Sequence, residues 1–165
     1  MAGMVGLRIP SCSMLLTRED LVVFEKDIEQ EWVAGHIRAP VHFSGSKDGK
    51  YEEALIDIFK QVKPEDWCFS THRSHFHALL KGVPSELVKA EILAGHSMHL
   101  NFKDYRFFTS SIVAGAVPIA VGVALGIKRG GGTEKVWCFL GDMASETGIY
   151  YESRKYAERN NLPIH

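Results

Sequence analysis

Excess charge of one sign, long apolar runs and paired cysteines are all missing from this sequence. Its 19 Lys and Arg stand against 20 Asp and Glu, a formal net charge of -1, so no overall basic field exists to hold a nucleic-acid backbone or an anionic membrane. The charge-free apolar stretch from Ile112 to Ile127 falls short of the ~20 residues needed to span a bilayer. It also contains Gly115, Pro118, Gly122 and Gly126, so a buried helix from Ile112 to Lys128 is expected and no membrane partner. Three cysteines, Cys12, Cys68 and Cys138, form no C-x-x-C pair. That excludes a disulfide framework and suits a reducing compartment, the cytoplasm or, in a eukaryote, the mitochondrial matrix. Met1 to Leu16 lack a basic leader, a continuous hydrophobic run and a cleavage site, so they read as a disordered or loosely held N-terminus rather than a secretory signal. What is present, 165 residues at 45% hydrophobic, suffices for one domain with its own core over 17–165.

Thr17 is a helix N-cap candidate with Glu19 and Asp20 in the first turn, and Leu21, Phe24, Ile28 and Trp32 form one apolar stripe. Gly35 ends that helix. After an irregular connection through Pro40 and Asp48-Gly49, a second helix carries Leu55, Ile58, Phe59 and Val62 on one side, with Glu52, Glu53, Asp57 and Lys60 around it. Phe24, Phe59 and Trp32 are assigned to the core. Trp67-Cys68-Phe69 reads as a buried strand leading into the loaded segment His72-Arg73-Ser74-His75-Phe76-His77, and Pro84-Ser85 opens a third helix. His96 to Ser111 show no clean period and are expected as a long loop. Gly130-Gly131-Gly132 reads as a hairpin-like turn before the uninterrupted apolar strand Val136 to Leu140, expected to be covered on both faces. A helix from about Ser145 to Arg159 follows, then Pro163 and the start of a further strand at Ile164. The whole is an α/β pattern: a mostly parallel sheet flanked by helices.

Asp142 follows Gly141 at the carboxyl end of the apolar strand, where open parallel sheets place their ligands. Two readings stand for its carboxylate. It caps the next helix, worth ~1 kcal/mol, or it holds a magnesium ion that carries a phosphate-bearing cofactor.

The stretch Gly141-Asp142-Met143-Ala144-Ser145-Glu146-Thr147-Gly148 with Asn161-Leu162-Pro163 resembles the first half of a thiamine-diphosphate motif. Upstream, His72-Arg73-Ser74-His75 is similar to a Tyr-Arg-x-His segment, Ser97-Met98-His99 to a Ser-Met-His loop, and Ser111-Ile112-Val113 to a Gly-Ile-Val segment. All belong to the alpha subunit of thiamine-diphosphate-dependent 2-oxo acid dehydrogenases of the pyruvate, branched-chain and acetoin type, and the chain resembles the N-terminal part of that subunit. The resemblance implies the diphosphate-binding half of the fold, with thiamine diphosphate and magnesium as cofactors. It implies decarboxylation of a 2-oxo acid, or transketolase-like transfer of an acyl or ketol group, in an oligomer where a beta-type subunit supplies the activating glutamate. Carried over by position, Asp142 is the magnesium ligand. His72, Arg73, Ser111, Val113, Gly141, Asp142, Met143 and Ala144 face the cofactor, and His75 and His99 are catalytic, binding or orienting the substrate carboxylate or an intermediate.

The sequence departs from the pattern at Met143, Ser111, His72 and Phe76. Met143 replaces the second glycine of the motif, so the backbone there is not free to take a positive φ and a bulky side chain is expected to line the pocket. The closing Asn of the motif would fall after His165, so the chain is expected to carry half of a metal site in an incomplete domain. The alternative function is a non-catalytic relic or assembly subunit. A rival reading gathers His72, His75, His77, His96 and His99 into a zinc site, although no paired Cys or H-E-x-x-H helix supports it.

Overall fold

The computed structural model describes residues 16–46 and 48–165. The expectations for 1–15 and Cys12 lie outside the described residues, whereas Leu16 packs on the main core. Six α-helices surround a four-stranded sheet. In chain order they are α1 (Arg18–Val33), α2 (Lys50–Phe59), β1 (Trp67–Ser70), α3 (His75–Leu80), α4 (Ser85–Leu93), β2 (Asn101–Phe102), β3 (Phe107–Thr109), α5 (Ala116–Arg129), β4 (Val136–Cys138) and α6 (Gly148–Arg159). The spatial order is β2-β3-β1-β4. β1 runs parallel to both β3 and β4, and β2 joins β3 antiparallel, so the expected α/β class with a mostly parallel sheet is the observed one.

Two packed layers follow from the sequence pattern. On one side, Leu21, Phe24 and Ile28 of α1, Leu55 and Phe59 of α2, Phe76 and Leu79 of α3 and Val88 and Ile92 of α4 cover Cys68 and Phe107. On the other, Ala116, Ala120, Val121 and Ala124 of α5 and Ala157 of α6 pack on Phe69 and Val136. The small residues of α5 let it lie close to the strands. Thr17 caps α1 through a capping box closed by Asp20: Asp20 N donates to Thr17 Oγ1 at 3.3 Å and Thr17 N to Asp20 Oδ2 at 2.8 Å.

Several local expectations are corrected. α5 begins at Ala116, not Ile112, because Ala114 takes a left-handed backbone (φ 55°) that no helix can contain. His96 to Ser111 are not all loop: β2 and β3 join the sheet there, too short to show a period of two. The Gly130–Gly132 turn joins a helix to a strand that is parallel to β1, so it is no hairpin. β4 stops at Cys138, with only Val136 fully covered. A 3-10 turn over Met143–Glu146 precedes α6, which opens at Gly148 with Thr147 as its cap. Trp32 shares the stripe of α1 yet is 50% exposed and Ile58 of α2 is 37% exposed, because periodicity sets a direction and not the presence of a neighbour. Glu52, expected on the polar surface of α2, is fully buried and accepts from Ser46 N at 2.7 Å and Ser46 Oγ at 2.5 Å.

The opposite, amino edge of the sheet is fastened by Asp66. It is 1% exposed and accepts from Lys63 N at 3.0 Å, Lys135 N at 2.8 Å and Trp137 Nε1 at 3.1 Å. Burial pushes its pKa up, but these three donors and the charge of Lys81 outweigh burial and hold the carboxyl below its ordinary value. The stabilisation is therefore complete above the unfolded carboxylate value of about 4 and is lost on acidification through the lower folded value. Asp66→Ala should lower stability by about 3 kcal/mol in urea unfolding at neutral pH. Asp66→Asn should flatten the acid limb of the stability profile.

Candidate functional site

Because β1, β3 and β4 are parallel, their carboxyl ends share one edge, and the three loops leaving it carry the residues singled out from the sequence. His72 and Arg73 follow β1, Ser111 and Val113 follow β3, and Gly141 to Ala144 follow β4. Backbone bonds tie these loops together: Ser110 N donates to Ser70 O at 3.2 Å and Phe139 N to Phe69 O at 2.9 Å. Ala114 and Ala144 pack together with Val117, Cys138, Leu140 and Tyr150, so the second and third loops share a small apolar footing.

The chain leaves β1 toward β3, whereas it leaves β4 toward Ile164, which bridges Val136 on the side away from β1. Adjacent strands β1 and β4 thus send their connections in opposite directions. A crevice outside the carboxyl ends of such a pair is the expected ligand position in an open α/β sheet. It lies between the loop of Arg73 and the loop of Asp142.

Asp142 does act as a cap, though of the 3-10 turn. Oδ1 accepts from Met143 N at 2.8 Å and its backbone oxygen accepts from Ser145 Oγ at 2.5 Å. The side chain remains exposed, which leaves the carboxylate accessible to a cation as well, and the two readings of Asp142 are compatible. Met143 avoids the anticipated strain because its backbone is not left-handed, and its side chain is 71% exposed at the edge. Val113 is 64% exposed, Ser111 half-buried and Ala144 buried.

The histidines separate into different roles. His99 is exposed on the turn where its N–H donates to His96 O, and the preceding Met98 O accepts from Thr109 Oγ1 at 3.5 Å, so His99 stands by the end of β3. His75 is fully buried: its Nε2 is 2.9 Å from Ser97 Oγ and its Nδ1 is 3.6 Å from Glu25 Oε1. Glu25 in turn accepts from Ser44 N at 2.8 Å and Gly45 N at 3.0 Å. His75 therefore holds the 97–99 turn through Ser97, while its Nδ1 makes no hydrogen bond among the described residues. Its reach to a ligand runs through that turn.

His72 packs edge-on against His42, with ring centroids 4.8 Å apart. Desolvation, then the like charges of His42 and Arg73, push the pKa of His72 down, so it is neutral at physiological pH. His42 was invisible in the sequence because it sits in an irregular connection with no motif, and only the packing of that segment on α1 brings it here. Among the described residues no group of three or more His, Cys, Asp or Glu side chains is arranged to hold a metal ion. The suggested zinc cluster is not assembled, since His75 and His77 point into the core toward Ser97 and Ser70. Cys138 is half-buried and its thiol is pushed up to about 12 by burial, which keeps it protonated.

The sequence matches the family described as dehydrogenase E1 component over residues 18–164. The chain belongs to this family. Its relatives include the alpha subunit of the pyruvate dehydrogenase E1 component of Porphyra purpurea, 29% identical over 97% of the chain and 54% of the relative. The corresponding subunit of Rickettsia bellii is 33% identical over 68% of the chain and 38% of the relative. The alpha subunit of acetoin:2,6-dichlorophenolindophenol oxidoreductase of Cupriavidus necator is 30% identical over 86% and 44%. The chain thus spans about half the length, or less, of the curated relatives it matches. The family expected from the four motifs is borne out, and the E1 segment carries all four on its carboxyl edge or on the turns tied to it.

A buried strut and an exposed side chain answer differently to truncation. His75→Ala should cost about 2–4 kcal/mol of stability in chemical denaturation. His99→Ala should stay within about 0.5 kcal/mol of the parent.

Proposed function

We propose that this E1 chain is the cofactor-diphosphate-binding part of a thiamine-diphosphate-dependent 2-oxo acid dehydrogenase of the alpha-subunit type. Its activity is decarboxylation of a 2-oxo acid, or transfer of an acyl or ketol group, together with a beta-type subunit that supplies the activating glutamate. The observation that carries the reading is the placement of His72, Arg73, Ser111, Val113 and Asp142 on the loops that leave the shared carboxyl edge of β3, β1 and β4, in a chain of the E1 family.

The residues present suit the group. The carboxylate of Asp142 is exposed beyond its single bond to Met143 N, and a hard cation that fills the rest of its shell with water and phosphate oxygens needs few protein ligands. Arg73 is exposed on the neighbouring loop and offers a planar fork of donors matched to phosphate oxygens. Neutral His72 adds a donor without bringing a second full charge next to Arg73. Gly141 leaves room for close approach of a ligand to the backbone, since nothing lies within 4 Å of a Cβ built there. When bound, thiamine diphosphate would supply an electron sink for the carbonyl carbon of the 2-oxo acid, and the protein supplies binding, orientation and exclusion of water.

No helix among the described residues is long and apolar enough to cross a membrane, and the free thiols of Cys68 and Cys138 suit a reducing compartment such as the cytoplasm.

Calorimetric titration of thiamine diphosphate with magnesium into the chain tests the reading. Binding should disappear with a chelator and in Asp142→Ala, and should weaken by about tenfold in Arg73→Met. Ligand at about 100 times its dissociation constant should raise the melting temperature by a few degrees. Binding that survives both the chelator and Asp142→Ala refutes the assigned magnesium role. The 165-residue chain without a beta-type partner should not turn over pyruvate, and turnover by the pure chain would remove the need for that partner.

A further inference from the structure

We propose that Tyr51 is a further ligand-facing residue of this chain, whose phenolic hydrogen is set free by the order of a Ser70–His77–Tyr51 hydrogen-bond chain to donate to an oxyanion held beside Arg73. Tyr51 stands in the first turn of α2 and is 38% exposed, and its hydroxyl is 3.3 Å from His77 Nε2. The ring of His77 is buried and stacked on Phe139 and on Phe59, with centroids 4.5 Å and 5.9 Å away. Its Nδ1 is hydrogen-bonded to Ser70 Oγ, at the carboxyl end of β1.

The direction of each bond follows from counting hydrogens. Ser70 is inaccessible to solvent, and among the described residues His77 Nδ1 is the partner of its hydroxyl. A buried hydroxyl hydrogen must find an acceptor, so Ser70 donates and Nδ1 accepts. The single ring hydrogen is then on Nε2. Burial pushes the pKa of His77 down to about 3, so the ring does not gain a second hydrogen near neutrality. Nε2–H donates to the Tyr51 oxygen, and the phenol's own hydrogen is left to point outward.

Arg73 precedes the helix that carries His77. Arg73 is three residues past Ser70 in the turn that leads to α3, the helix to which Tyr51 is bonded through His77. The pKa of Tyr51 is raised by burial, then by the charges of Glu25 and Glu52, with Arg73 the smallest influence and of opposite sign, so the hydroxyl keeps its hydrogen. Glu25 and Glu52 do not compete for this donor, since both carboxylates are engaged by the 44–46 segment. A neutral O–H together with a guanidinium recognises an oxyanion. Two oxyanions are at hand on the cofactor reading, on which this inference rests: a diphosphate oxygen and the carboxylate of a 2-oxo acid.

The test titrates magnesium diphosphate and, separately, pyruvate into the full chain and into Tyr51→Phe, Arg73→Met and the double variant. Tyr51→Phe should lose about tenfold in affinity for one of the probes at an unchanged melting temperature. The double variant should lose less than the product of the single losses, because both residues act on one anion. Loss confined to diphosphate assigns the cofactor as the source, and loss confined to pyruvate assigns the substrate; either supports the role. Equal affinity of Tyr51→Phe and parent for both probes, with the parent binding magnesium diphosphate, overturns the role of Tyr51 and leaves the cofactor reading standing. A parent that binds neither probe overturns both. Independently, nitrogen NMR of His77 should show hydrogen on Nε2 and none on Nδ1 between pH 5 and 8 (roughly the window well above its pKa), and the opposite tautomer overturns the proposal.

Discussion

Parallel pairing on both sides of β1 is the constraint on which the rest of this molecule depends. Because β3 and β4 run in the same direction as β1, three chain segments far apart in sequence must end on one edge. Parallel strands cannot be joined by tight turns, so the chain spends helices α3, α4 and α5 on the return journeys. Those helices cover both faces, which explains why Cys68 and Phe69 are buried with no polar alternation between them. The same pairing leaves the loops after β1, β3 and β4 free at the carboxyl edge, and these loops carry most residues of the candidate site.

Buried carboxylates hold other connections of the chain. Asp66 fastens the amino edge through amides before β4 and after α2. Glu25 and Glu52 fasten the 44–46 segment to α1 and α2. A buried carboxylate is costly unless its lone pairs are filled, and each of these accepts at least two hydrogen bonds. His75, packed near Glu25, is hydrogen-bonded to Ser97. Of the candidate site residues, His75 is thus buried in the scaffold, whereas Arg73, His99 and Asp142 are exposed and His72 is half-buried.

Much of the architecture was legible from local pattern. The capping box at Thr17, the apolar stripe Leu21-Phe24-Ile28 and the short apolar runs at β1 and β4 report themselves, because caps and periodicity act over a few residues. Glu52 was misplaced for the complementary reason: on a helical wheel it belongs to the polar surface, and only Ser46, in the irregular connection before the helix, makes its burial tolerable. Trp32 erred in the other direction, an apolar residue in register with a core that does not extend that far. β2 and β3 are two and three residues long, which is less than one full test of a period of two.

The sequence by itself determined the α/β class, the E1 motifs and the order in which they occur, since each motif is a local run of residue types. Tertiary structure decided which of the histidines face outward, that His42 meets His72, and that Tyr51 is oriented by His77. These are contacts between segments 20 to 30 residues apart, set by how helices pack on the sheet, and no local periodicity encodes them. The direction of a hydrogen bond was decided last of all, by burial: Ser70 donates because its position in the packed core leaves it one acceptor.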